Sequence, residues 1–122
     1  MKEGTVRSDD TLKKGKNTIK LLLLNLLHDG DLYGYQLTQM INEYSGGRLV
    51  IPEGSLYPAL YALQEGGYIT SEKKLVGKRM ERVYYHLEQA GREYYRVLLD
   101  DYRHLNEMVD GIIDHGGEAP VN

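Results

Sequence analysis

Lys78, Arg79 and Arg82 lie within five residues of one another, and Ser55, Tyr57, Tyr61 and Gln64 recur through a short helical stretch upstream. The chemistry open to these side chains is recognition of a polyanion. Long cations donate hydrogen bonds to phosphate oxygens and set affinity and register. A hydroxyl, a phenol or a carboxamide on an exposed helix face can read the edges of bases. None of the four helical candidates is arginine, the residue most often used against guanine.

Covalent and metal chemistry have no comparable constellation. His28, His86, His104 and His115 are scattered without metal-ligand spacing, and no HExxH pair occurs. Gly54-Ser55 lacks the rest of a nucleophile elbow, and the glycine-rich stretches form neither a P-loop nor a dinucleotide fingerprint. Asp100 and Asp101 are adjacent on a helix, so their side chains diverge by about 100°. The chain has no cysteine, hence no disulfide and no thiolate site. A non-enzymatic protein without cofactor or metal is expected.

The elements that must position the polar residues are legible around Ile51–Ile69, IPEGSLYPALYALQEGGYI. Leu56, Ala59, Leu60 and Leu63 recur at helical spacing, with Tyr57, Pro58, Tyr61, Gln64 and Glu65 on the other side. Ser55 can cap this helix, placing Pro58 in the first turn; a start nearer Pro52 makes Pro58 an interior residue that frees the Gly54 carbonyl. Gly66 and Gly67 supply the stop. Upstream, Leu12–His28 reads as a first helix, apolar nearly all round in its second half, and Tyr33–Tyr44 as a second, stopped by Ser45-Gly46-Gly47. Downstream, Tyr68–Leu75 and Arg82–Leu87 read as two strands separated by Val76–Glu81, a hairpin with a basic tip. Three helices followed by such a hairpin have the order of a winged helix.

Gln89–His115 is the most regular segment. Tyr95, Tyr102 and Val109 repeat every seven residues, with Leu98, Leu105 and Ile112 between them, as in the seam of a coiled coil. A homodimer is expected, although the same stripe can also pack on the helix beginning near Leu12. The expected fold is mainly α with a small β-hairpin. Residues 1–10 would form a flexible tail, 11–87 a winged helix-turn-helix, 88–115 a dimerisation helix and 116–122 a second tail.

Charge supports this division. The net charge of the 122 residues is −3. Residues 1–87 hold 12 Lys/Arg against 10 Asp/Glu, and residues 88–122 hold 3 against 8, so a body of +2 precedes an acidic end of −5. Lysines 13, 14, 16 and 20 form one local excess, and Lys73, Lys74, Lys78, Arg79 and Arg82 another. The polar start MKEGTVRSDD is unlike a secretory signal, and Leu21–Leu27 is too short to span a membrane, so a cytoplasmic protein is expected.

Tyr33-Gly34-Tyr35, Glu53-Gly54-Ser55-Leu56-Tyr57-Pro58-Ala59-Leu60, Gly66-Gly67-Tyr68-Ile69, Gly77-Lys78-Arg79, and Tyr84-Tyr85-His86-Leu87 with Ala90-Gly91 together resemble the PadR-like transcriptional regulators, over about residues 17–91. The single helix after the wing is similar to the short branch of that family. The resemblance implies a dimeric repressor that binds a pseudo-palindromic double-stranded DNA operator and releases it on a small-molecule or stress signal. It implies DNA contacts from Tyr35, Ser55, Tyr57 and Pro58 and from Lys78, Arg79 and Arg82 in the wing. By analogy with short members, Tyr95, Leu98 and Tyr102 are candidates for a pocket that takes a small aromatic effector. Three positions depart from the pattern. Tyr61-Ala62 stand where basic residues are common, Glu81 interrupts the basic wing, and Glu88 replaces a threonine before the last helix. These departures leave open a protein-interaction module, or an aromatic-ligand-binding protein, that has lost DNA binding.

Overall fold

The computed structural model describes residues 8–116, with side chains placed from Asn17 onward. Residues 1–7 and 117–122, most of both expected tails, lie outside the described residues, as do the side chains of lysines 13, 14 and 16. Helix α1 spans Ser8–Leu26, so it begins inside the stretch expected as a tail. Its leucine run buries Leu21, Leu23 and Leu24, and a 3-10 turn over Leu27–Asp29 adds Leu27 to the same core. His28 Nδ1 lies 2.8 Å from the Leu24 carbonyl, giving one of the free carbonyls at the helix end a partner.

A two-residue strand, β1 (Leu32–Tyr33), precedes helix α2 (Gly34–Tyr44). Sequence periodicity does not show this strand, because two residues are too few to alternate. The Tyr33 N–H donates to the Gln36 side chain at 3.1 Å, fixing the passage from strand to helix. After a turn through Gly46 and Gly47, both at positive φ, helix α3 covers Glu53–Glu65. Its first bonds run from Ser55 and Leu56 N–H to the Pro52 carbonyl, each at 2.9 Å. Ser55 is therefore inside the helix and is not its cap, and Pro58 is an interior proline. The Gly54 carbonyl loses its helical partner at an exposed residue, where water can serve it. The helix ends as its glycines require. Gly67 takes φ +77°, the Gly67 N–H donates to the Gln64 carbonyl, and the Tyr68 N–H to the Leu63 carbonyl, both at 3.0 Å.

Strands β2 (Ile69–Val76) and β3 (Met80–Leu87) pair antiparallel. They run closer to the tip than the sequence predicts, leaving Gly77-Lys78-Arg79 as the whole loop and putting Glu81 and Arg82 within β3. β1 adds to the free edge of β3, with Tyr33 opposite Tyr84, so the sheet has three strands in the order β1-β3-β2 rather than two. One sheet face contributes Ile69, Tyr85 and Leu87 to a core shared with Leu37, Ile41 and the buried side of α3.

Helix α4 runs from Gln89 to Asp114. Glu88 stands at its cap, but the carboxylate accepts from the Thr70 hydroxyl at 2.8 Å, tying the helix start to β2. The expected dimer seam divides in two. Tyr95 donates to Asn25 Oδ1 at 2.8 Å and packs edge-on against His28, and Leu98 is buried in the core with Leu21. These two positions face α1 of the same chain, the packing that the stripe also allows. Farther along, Val109 is 43% and Ile112 73% exposed. Among the described residues, no helix is long and apolar enough to cross a membrane.

Candidate nucleic-acid interface

Three tyrosines stand out on the helix-turn-helix surface. Tyr35, at the start of α2, and Tyr61, on α3, are each 64% exposed, and Tyr57 is 45% exposed. Tyr57 lies over Gly34, whose missing side chain makes room for it: a Cβ there would fall 2.7 Å from the Tyr57 hydroxyl oxygen. Tyr35, Tyr57, Glu81, Arg82 and Tyr85 line an open cleft between the helix pair and the wing. Burial, with the neighbouring Tyr57 phenol as the smaller cause, pushes the Tyr85 phenol above its ordinary 10.0. Tyr85 is thus a neutral floor beneath the exposed rings.

Ser55 and Pro58 are on a different side of α3. They border a groove against α1 that also includes Ile19 and Lys20, so α1 brings a cation beside the start of the third helix. Gln64 sits near the other end of α3, and its amide donates to the Ser71 hydroxyl at 2.9 Å. That bond ties the helix to β2 and engages the Gln64 amide within the fold.

In the wing, Lys78 and Arg79 occupy the exposed loop after Gly77, whose φ of +71° lets the strands reverse in three residues. Arg82 is not at this tip. Its guanidinium carbon lies 4.3 Å from the centre of the Tyr33 ring, at the root of the wing. Lys74 makes the equivalent approach to Tyr84, at 5.0 Å. The sequence alone does not single out either tyrosine, or Lys20, as a site residue. Tyr84 reads as a strand-forming aromatic and Tyr33 as the first residue of the second helix, and their shared role depends on β1, which periodicity does not reveal.

Among the described residues, Tyr95, Leu98 and Tyr102 do not together line a cavity within one subunit. A cavity between α1 and α4, lined by Leu21, Leu98, Tyr102 and Leu105, measures about 30 Å³, room for a water-sized group but not an aromatic ring. Tyr95 does not line it. The remaining histidines are dispersed: His86 Nδ1 lies 2.8 Å from Asp31 Oδ1, joining β3 to the turn before β1, while His104 and His115 are exposed on and just beyond α4.

A helix pair with an exposed third helix, a basic wing against it and a long last helix defines a winged helix-turn-helix regulator. The chain belongs to the transcriptional regulator PadR-like family, whose model matches residues 23–97. It is 34% identical over 101 residues to the transcriptional regulator Rv3488 of Mycobacterium tuberculosis, covering 83% of this chain and 86% of that one. It is 31% identical over 91 residues to the negative transcriptional regulator PadR of Bacillus subtilis, covering 75% of this chain and 50% of that protein. The fold matches a transcriptional regulator from Clostridium thermocellum with a TM-score of 0.72 and 29% identity, over 85% of this chain and 98% of that one. It also matches Bacillus subtilis PadR in complex with operator DNA, with a TM-score of 0.62 and 29% identity, over 67% of this chain and 46% of that one.

Proposed function

We propose that this chain is a transcriptional repressor that binds a two-fold-related DNA operator as a homodimer. In this reading α3 enters the major groove, with Tyr57 and Tyr61 toward the bases, and Tyr35 and the wing cations hold the flanking backbone. The observation that carries it is the common surface of Tyr35, Tyr57 and Arg82, where the second helix, the third helix and the wing meet. The repressor assignment draws on the name of the Bacillus subtilis relative, and the operator on its solved complex. Dimerisation draws on the exposed apolar side chains of α4 beyond Leu105: Met108, Val109, Ile112 and Ile113. Release by a planar aromatic molecule would need a second subunit to complete a pocket, because the space beside Tyr102 within one subunit is too small for a ring.

A fluorescence anisotropy titration with the duplex upstream of the chain's own coding sequence tests this function. Binding should weaken steeply as salt rises, and changing both Lys78 and Arg79 to Ala should flatten the salt slope as well as lower affinity. An unchanged slope would remove the wing tip from the mechanism, and no binding at moderate salt would remove DNA recognition altogether.

A further inference from the structure

Lys74 and Arg82 are direct partners across β2 and β3, so both side chains leave the same face of the sheet. Like charges directly opposite in a sheet repel, and such a pair is disfavoured unless something offsets it. Among the described residues neither cation has a carboxylate within 4.0 Å. Glu72 shares the face but stands opposite Tyr84, and Glu81 alternates to the other face opposite Leu75. Farther along the same face, His86 is engaged by Asp31.

Tyrosine rings take the place of acids. Each cation leans across one strand in the same diagonal sense, Lys74 from β2 onto Tyr84 of β3 and Arg82 from β3 onto Tyr33 of β1. Tyr33 and Tyr84 are themselves register partners and meet edge to face at 5.4 Å and 74°. The result is a continuous bed of two rings carrying two cations. A ring face steadies a cation without consuming its hydrogen-bond donors, so the guanidinium edge and the ammonium remain free to donate outward.

We propose that Lys74 and Arg82 form a second backbone-phosphate site, on the outer face of the sheet, with Tyr84 and Tyr33 as its positioning residues. The proposal rests on the DNA-binding reading and adds to it a contact row at the root of the wing. Arg82 also borders the cleft of Tyr35 and Tyr57, so the row continues from the helix-turn-helix toward Lys78 and Arg79 at the tip. Its open, linear arrangement suits successive phosphates of a duplex backbone rather than an isolated anion, which would need a closed pocket. An anion spanning both side chains also relieves their mutual repulsion.

The test compares K74A, R82A, Y33F, Y33L, Y84F and Y84L by anisotropy on the chain's own upstream duplex, at salt concentrations between roughly 50 and 200 mM. Because the dimer carries each residue twice, K74A and R82A should each lower the slope of log K against log salt by about 1.8, about 0.9 per subunit. Y33L and Y84L should weaken binding by about 3- to 10-fold with the melting temperature held, and the Phe variants should bind as wild type because they keep the ring. Inorganic phosphate should compete no better than its ionic strength accounts for. Wild-type binding with unaltered slopes in K74A and R82A would overturn this site alone, as would Phe variants as weak as Leu variants. A wild-type protein that does not bind the duplex would remove the DNA-binding reading together with it.

Discussion

Gly34 and Tyr57 occupy one space: a Cβ on Gly34 would lie 2.7 Å from the Tyr57 hydroxyl oxygen and 3.2 Å from its ring carbons. The glycine opens α2, and the tyrosine stands on the exposed side of α3, so the first helical residue of one element sets the rotamer of a candidate base reader on the next. Gly34→Ala gains the usual helix preference of alanine over glycine, about 0.5–1 kcal/mol, and loses a similar amount in displacing a flexible ring tip. Melting should therefore change little. The Tyr57 ring should move, and a selection from random duplexes should return a different preferred sequence for Gly34→Ala than for wild type. An identical preference would show that Tyr57 does not read bases.

The sequence makes the four helices visible because each buries one face at helical spacing over several turns. Leu56, Ala59, Leu60 and Leu63 are an example, and all four are buried. Tyr57 and Tyr61 on α3 and Lys78 and Arg79 in the loop are likewise exposed where the helical spacing and the turn imply, and so is Tyr35, which the family resemblance points to. What periodicity cannot convey is pairing between distant segments. β1 has only two residues, so the link between Tyr33 and Tyr84, and with it the seat of Arg82, exists only once the sheet is assembled. The seven-residue repeat of α4 raises a different ambiguity. One apolar stripe can face a partner subunit or the same chain, and periodicity alone does not show that Leu98 is buried within the subunit while Val109 and Ile112 are exposed on it.

Gly91 should be the least replaceable glycine in the fold. A Cβ there would fall 2.2 Å from the Tyr68 carbonyl oxygen and 2.7 Å from a Leu87 methyl, and the carbonyl belongs to backbone that cannot rotate away. The same carbonyl accepts the Glu88 N–H at 3.0 Å, so moving it would also loosen the start of α4. Gly91→Ala should cost about 3 kcal/mol, seen as a lower urea midpoint at unchanged m-value. A midpoint within error of wild type would mean that α4 can shift away from β2 freely.

Alkaline pH should unfold the protein through two phenols. Tyr85 is raised by burial and then by Tyr57, and Tyr94 by burial, then by the stacked Tyr68 and by Asp101. A phenol whose folded value lies above 10.0 holds its proton longer in the folded state. Its contribution is fully present below pH 10 and is lost as pH rises through the folded value. Thermal melting temperatures should fall as pH rises above about 10. The Tyr85→Phe, Tyr94→Phe double variant should fall less steeply, and an equally steep fall would assign the alkaline loss to other groups.

Leu98 and Ile112 share one stripe on α4 but should respond in opposite ways to substitution. Leu98 is 4% exposed and packs in the core, so Leu98→Ala should destabilise the subunit by about 2–5 kcal/mol. Ile112 and Val109 lie in the exposed half. Ile112→Asp and Val109→Asp should leave the far-ultraviolet spectrum of each subunit intact while placing a charge where a second α4 would dock. Sedimentation at micromolar concentration should then show a monomer for the Asp variants. Since two joined subunits bind paired half-sites far more tightly than one, their operator affinity should fall by at least about 100-fold. A variant that remains dimeric would move the subunit contact away from this stripe, toward α1 or the first half of α4.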